Sequence, residues 1–121
     1  MRISMENIEN FSGWMGPISR IEAEERLNNK PVGTYLLRQA DDVTASIGKN
    51  LSEMHHQQIL PFLLTAAIEG GEVTDFLILH TKWGWTLYQD DPYLEEYEYF
   101  AKFQSLIDSL RPIAVKPLTL L

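Results

Sequence analysis

The chain has 121 residues, 45% of them hydrophobic and 11% aromatic, which predicts one folded domain over residues 1–121 and excludes disorder along the whole length. Its 10 basic and 17 acidic residues give a net charge of −7, which excludes general nucleic-acid binding. The sequence has no cysteine, no signal-peptide stretch at its start and no uncharged apolar run of roughly 18 residues. We therefore expect a cytoplasmic protein without membrane insertion, disulfides or a cysteine nucleophile.

The charge is distributed unevenly along the chain. Residues 1–49 carry six basic and seven acidic side chains, whereas residues 50–121 carry four and ten. The first part is therefore nearly neutral, and the second is strongly acidic. A site for an anionic ligand is expected in the first part.

The first predicted element is a helix over residues 20–28. Ser19 followed by Glu22 has the spacing of a capping box, in which each side chain satisfies a free backbone N–H at the helix start. Two asparagines and then a proline favour the end of this helix. A short apolar strand over residues 34–37 follows directly and ends at Arg38.

The middle of the chain predicts a long connection and then three strands. Residues 39–60 are polar and read as a connection in which residues 50–60 could form one short helix. A Glu-Gly-Gly-Glu sequence between two apolar runs is a hairpin signal. The three runs with the length and composition of strands are residues 62–68, 73–79 and 85–88.

Apolar residues recur at helical spacing in the last third. They run from Asp91-Pro92, a favourable helix start, to Leu110 just before Arg111-Pro112, and so predict a second helix. The apolar tail of residues 113–121 is expected to fold back onto the body. The order of elements predicts an α+β fold, a small central antiparallel sheet flanked by two helices.

The first third contains two stretches in a characteristic order, WMGPISRIEAEERL at residues 14–27 and GTYLLR at residues 33–38. Together they resemble the opening of an SH2 domain, a family that starts with Trp and Gly. That family continues with an [Ile/Leu]-[Ser/Thr]-Arg-x-x-Ala-Glu helix and a Gly-Thr-Phe-Leu-Val-Arg strand. Relative to that pattern, the chain is longer in three places: an N-terminal extension at residues 1–12, a lengthened loop after the arginine-bearing strand at 39–60, and an insertion at 88–102.

The resemblance implies that Arg38 forms the floor of a phosphotyrosine pocket and that Arg20 flanks it. A phosphate of charge about −1.5 to −2 favours planar, permanently charged donors that can bind two oxygens at once. The partners implied are tyrosine-phosphorylated proteins or peptides, bound by a monomer. Without the resemblance, Arg38 would read as a surface residue paired with a neighbour such as Asp41.

The sequence departs from the family pattern beside this pocket. Ala40 stands where the family has a serine that contributes a hydroxyl to the phosphate. Thr44, Ser46 and Lys49, together with backbone amides of the long connection, are the candidate replacements. Each of them could equally be a solvated residue.

The residues that would contact the tyrosine ring depend on the register of one strand. In the alignment with fewer gaps, Asp75 and Leu77 take the places of the family's His and Lys. A rival register puts His80 and Lys82 there instead. We prefer the first register but keep all four residues as possible ring contacts.

No other pattern indicates chemistry. The adjacent His55 and His56 would diverge on a helix or strand, so no metal site is expected, and no cofactor or enzyme motif is present. The divergence from the family pattern suggests a bacterial effector acting in a host cytoplasm. Two alternatives remain: an SH2-like interaction scaffold without phosphate binding, and a small acidic secretion chaperone.

Overall fold

The computed structural model describes residues 6–119 and contains three α-helices and a five-stranded sheet within them. Short 3₁₀ turns lie at Ile8–Asn10, Glu69–Gly71 and Leu94–Glu96. The main elements, in chain order, are α1 (Arg20–Leu27), β1 (Thr34–Gln39), α2 (Asp42–His55), β2 (Leu60–Ala67), β3 (Val73–Thr81), β4 (Gly84–Leu87), α3 (Phe103–Ser109) and β5 (Lys116–Pro117).

The sheet has the order β4-β3-β2-β1-β5, and its first four strands pair antiparallel. The four antiparallel strands confirm the predicted central sheet, and the short β5, which was not predicted, pairs parallel with the start of β1 and makes the sheet mixed. The cause is the apolar tail, which returns along the outer edge of β1. There the backbone N–H of Leu118 donates to the carbonyl of Tyr35 at 2.7 Å, and the Leu118 side chain is buried.

Successive side chains along each strand point to opposite faces of the sheet, and different helices pack on the two faces. One face packs against α1 through a cluster that includes Ala23 and Leu36, and against α2 through a cluster that includes Leu51 and Leu79. The opposite face packs against α3. Its cluster is the largest of the three and includes Leu37, Leu64, Ile78, Trp85, Phe103 and Leu106.

The connection at residues 39–60 is mostly helical, which corrects the predicted lengthened loop. Asp41 caps α2, because its Oδ1 accepts from the backbone N–H of Thr44 at 2.9 Å. The helix ends at His55, and the next residue, His56, caps it with a left-handed φ of 52°. The short helix considered for residues 50–60 therefore begins too late, and Leu60 already belongs to β2.

The predicted long helix before Leu110 is also wrong over most of its length. Only Leu94–Glu96 forms a 3₁₀ turn, and α3 begins at Phe103. Between them the chain is not helical, and Phe100 pairs with Trp85 through two backbone hydrogen bonds of 2.8 and 2.9 Å. Pairing with the sheet edge overrides the helical spacing of the apolar residues.

The remaining elements follow the predictions closely. Helix α1 begins after Ser19, whose Oγ accepts from the backbone N–H of Glu22 at 3.1 Å, and the Glu-Gly-Gly-Glu hairpin joins β2 to β3. Described residues of the N-terminal extension join the core, since Ile8 is buried and Phe11 stacks on Phe103 at 4.5 Å. Among residues 6–119, no helix is long and apolar enough to cross a membrane. Residues 1–5 and 120–121 of the predicted extension and tail lie outside the described part.

Candidate functional site

Arg38 is the buried cation of the sheet. It lies near the end of β1, on the face that packs against α1 and α2, with only 2% of its surface exposed. Its Nε donates to Thr65 Oγ1 at 3.0 Å, and its Nη2 donates to Asp75 Oδ2 at 3.2 Å. Neighbouring strands therefore supply the partners that keep a buried charge satisfied.

Arg20 reaches the same place from the first turn of α1. Its Nη1 lies 3.2 Å from Asp75 Oδ2, and its Nη2 donates to the carbonyl of Val73 at 3.4 Å. Its Nε also pairs with Glu24 one turn along the helix, at 3.3 Å. About half of the Arg20 side chain (49%) is exposed, so it forms the open wall of the site.

Asp75 joins the two arginines. Its Oδ2 contacts both guanidinium groups, and its Oδ1 accepts a hydrogen bond from the hydroxyl of Thr65, its cross-strand neighbour in β2. The Asp75 side chain is 23% exposed. One carboxylate thus occupies a position where donors from α1, β1 and β2 converge.

An open pocket of about 370 Å³ lies beside this ion cluster, between the start of α1 and the end of β1. Arg38 lines it, and within residues 6–119 its Nη1 donates no hydrogen bond. The pocket also has acidic walls, so it is not uniformly positive. Its lining residues are Pro17, Ile18, Ser19, Arg20, Glu22, Arg38, Gln39, Ala40 and Asp41.

Asp41 is held as an anion at the pocket wall. Hydrogen bonds from the backbone and hydroxyl of Thr44 lower the pKa of Asp41, and the nearby charge of Arg38 lowers it further. The Thr44 hydroxyl donates to Asp41 Oδ1 at 2.8 Å. Thr44 is therefore occupied in capping α2.

The other loop candidates do not line the pocket in this structure. Ser46 and Lys49 are exposed on α2, a helix whose buried face carries Gly48 and Leu51. Ser46 lies about 200° around the helix from Gly48, on the side away from the sheet. Ala40 does line the pocket, so the position of the missing serine is at the site.

The four candidates for ring contact fall in two places. Asp75 and Leu77 lie on the arginine-bearing face of β3, and Leu77 packs against the α2 cluster. His80 lies on the opposite face, buried and stacked on Trp85 with ring centroids 3.8 Å apart. Lys82 lies in the exposed β3–β4 turn, with Nζ 5.3 Å from the Trp83 ring.

Thr65 is the site residue that sequence reasoning missed. It is fully buried in β2, where it accepts from Arg38 and donates to Asp75. The available signal was a hydroxyl residue inside the apolar run FLLTAAI, because a buried hydroxyl needs polar partners. The cross-strand pairing that brings these residues together is not visible in the sequence.

Comparisons with known proteins support the same type of fold. The family model described as SH2 domain matches residues 14–109, and no curated protein matches the chain. The solved SH2 domain of a Monosiga brevicollis CRK/CRKL homolog is 18% identical, with a TM-score of 0.52, covering 97% of this chain and 95% of that one. The SH2 domain of human proto-oncogene protein VAV1 is 16% identical, with a TM-score of 0.51, covering 95% and 73%.

Proposed function

Because the chain belongs to the SH2 domain family, we propose that it binds tyrosine-phosphorylated peptides or proteins, with the phosphate held by Arg38 and Arg20. Members of this family are generally phosphotyrosine-binding interaction modules and not enzymes. The observation that supports the proposal is the convergence of two guanidinium groups on one anion, each 3.2 Å from the same carboxylate oxygen.

The geometry around Arg38 suits an oxyanion. Thr65 accepts a hydrogen bond from Arg38 Nε, so the other two nitrogens of the guanidinium, Nη1 and Nη2, are directed toward Asp75 and the pocket. Arg20 approaches the same point from another element, so a phosphate could accept from both side chains. Burial strengthens such charge-assisted bonds because water does not compete for the donors.

The test compares a phosphotyrosine peptide with its unphosphorylated twin by calorimetric titration. Each charge-assisted bond contributes roughly 1.5–3 kcal/mol, so Arg38→Ala is expected to weaken binding of the phosphopeptide by at least about tenfold. Arg38→Lys is expected to lose most of the affinity too, because it keeps the charge but not the fork. Equal binding of the two peptides by the parent protein would contradict phosphate recognition.

Arg111→Ala is the matched control, since Arg111 is an exposed arginine whose ion pair is with Asp108, near the end of α3. It removes the same charge from the protein as Arg38→Ala and should leave binding unchanged. Thermal unfolding of both variants checks that the loss at Arg38 is not a loss of fold.

Phosphate-independent binding is the second candidate function, and Asp75 is the observation that favours it. Its carboxylate already pairs with both arginines and offsets one of their two positive charges, and Glu22 and Asp41 add negative charge to the pocket wall. A scaffold of this type would bind both peptides of the titration equally. The secretion-chaperone alternative gains no support from the match to the SH2 family.

The cellular setting is also part of the proposal. We infer a monomer in the cytoplasm. The net charge of −7 supports the absence of nucleic-acid binding. Delivery into a host cell as a bacterial effector is supported only by the divergence from the family pattern at Ala40, the helical α2 segment and residues 88–102.

A further inference from the structure

The anion that holds the two arginines together belongs to the protein itself. Asp75 Oδ2 lies 3.2 Å from Arg38 Nη2 and 3.2 Å from Arg20 Nη1. Both nitrogens are at the forked ends that a phosphate would need for its strongest contacts. The resident carboxylate therefore already contacts one forked end of each arginine, where an incoming phosphate would also bind.

The donors of Arg38 show how much of the site is already in use. A guanidinium has five N–H groups, and Thr65 and Asp75 each accept one of them here. With Asp75 in place, a phosphate in the pocket can reach Nη1 but must share Nη2. Within the described part of the chain, two N–H groups on Nη1 and one on Nη2 remain for a phosphate, but bidentate binding there places its oxygens beside the Asp75 carboxylate.

Charge makes the sharing unfavourable. A bound phosphate carries about −1.5 to −2 charges, and a carboxylate a few ångströms away repels it, most strongly on the buried side of the site at Arg38. The side chain of Asp75 is 23% exposed and so borders solvent. Its displacement would break the hydrogen bond that Thr65 donates to Oδ1, while Thr65 would continue to accept from Arg38 Nε.

We propose that Asp75 is a built-in competitor for the phosphate: the ligand displaces its carboxylate from the arginine pair, and this displacement lowers the affinity for phosphotyrosine. The inference rests on the proposed function. On this proposal, Asp75 determines how tightly Arg38 and Arg20 bind phosphotyrosine. Removing its charge while keeping its shape should strengthen phosphate binding.

The experiment titrates acetyl-phosphotyrosine-amide, and the unphosphorylated compound, into the whole chain by NMR. A charge a few ångströms from an ionised group changes the equilibrium of that group by about tenfold to a thousandfold. Asp75→Asn removes such a charge from the arginines, so it should tighten phosphate binding about tenfold or more. Asp75→Ser also removes the charge and should act in the same direction. The amide spectra and thermal unfolding identify variants that fold.

Glu24→Gln is the matched control. Glu24 also pairs with Arg20, at 3.3 Å, but through an exposed contact within one helix and without touching Arg38. It removes the same net charge as Asp75→Asn, yet its effect should stay within about twofold. An equal gain in both variants would show that only overall charge matters, and would overturn the inference.

The outcomes separate this inference from the proposed function. If the parent binds the phosphorylated compound and the folded Asp75 variants bind it no more tightly, the inference is wrong and the proposed function stands. If only the Asp75 variants bind it, the competitor role is supported and the parent is a phosphate-independent module. If neither parent nor variants distinguish the two compounds, both ideas fail.

Discussion

Arg38 and His80 are both buried ionisable side chains, but they lie on opposite faces of the sheet and have different surroundings. Arg38 donates hydrogen bonds to Thr65 and Asp75. His80 stacks on Trp85, and within the described residues its Nε2 has no hydrogen-bond partner. Burial lowers the pKa of His80, while the charge of Glu6 opposes that shift. The neutral imidazole is therefore part of the apolar core.

The depressed pKa of His80 predicts that the fold loses stability in mild acid. In the unfolded chain His80 binds a proton near pH 6.5, whereas in the folded chain it does so only at a lower pH. The free energy of unfolding is therefore unaffected by His80 above a pH of about 6.5, and it decreases as the pH falls from there toward the lower pKa of the folded state. The slope from this one group is at most about 1.4 kcal/mol per pH unit. Thermal unfolding between pH 5 and 8 measures it.

His80→Phe provides the comparison, because a phenyl ring can keep the stacking on Trp85 without titrating. The difference in stability between parent and variant should grow in favour of the variant as the pH falls. Parallel curves over the whole range would show that His80 titrates normally in the fold.

At the scale of residues, the two arginines of the site can be predicted from the sequence, but the residues that pair with them cannot. Arg20 and Arg38 each belong to a local motif, a helix start and a strand end, that can be read without tertiary structure. The roles of Thr65 and Asp75 depend on the antiparallel register of β2 and β3, in which these two residues are opposite each other. A shift of one residue in that register would turn Asp75 to the other face.

Among the elements, α2 departs most from expectation, and one glycine permits its position. The helix crosses β2 so closely that a Cβ atom at Gly48 would lie 2.7 Å from Cγ of Pro61. A proline ring has little freedom to move away. Sequence reasoning missed most of this helix because its polar residues suggested a connection, whereas packing of Leu51 against Leu79 and Ile59 supports the helix.

Gly48→Ala is therefore expected to destabilise the protein although alanine favours helices. The helix gains about 1 kcal/mol from the substitution, and the overlap with Pro61 costs roughly 1–3 kcal/mol, so a net loss of about 1 kcal/mol is expected in the free energy of unfolding. Urea unfolding followed by tryptophan fluorescence measures it. Lys49→Ala, one residue along on the exposed side, should stay within about 0.5 kcal/mol of the parent.

If Gly48→Ala proved as stable as the parent, α2 would have to lie farther from β2 than this structure shows.

The segment before α3 shows the reverse error, a predicted helix that the structure does not contain. Helical spacing predicted one helix there, but Thr86 Oγ1 donates to the carbonyl of Glu98 and Phe100 pairs with Trp85. Periodicity cannot reveal that a neighbouring strand needs an edge partner.

Across the whole molecule, the arginine site and the acidic segment of residues 88–102 flank different parts of the sheet. The arginines lie at β1 and α1, whereas residues 88–102 follow β4 and pair with it through Phe100. A peptide anchored by phosphotyrosine at Arg38 and crossing β3 would continue toward the acidic segment. Its exposed carboxylates include Asp90, Glu95, Glu96 and Glu98.

This arrangement predicts loose side-chain selectivity with a preference for Lys or Arg beyond the phosphotyrosine. Carboxylates at an exposed rim attract positive side chains without requiring a fixed geometry, and salt weakens the attraction because the screening length falls from about 10 Å at 0.1 M to about 3 Å at 1 M. A degenerate phosphotyrosine library screened at both ionic strengths measures the preference. The double variant Glu95→Gln, Glu96→Gln should reduce it at low salt while leaving the contribution of the phosphate intact, since neither residue lies at the arginine site. A sharp requirement for an apolar residue three places after the phosphotyrosine would instead mean that residues 88–102 leave a specific apolar slot open.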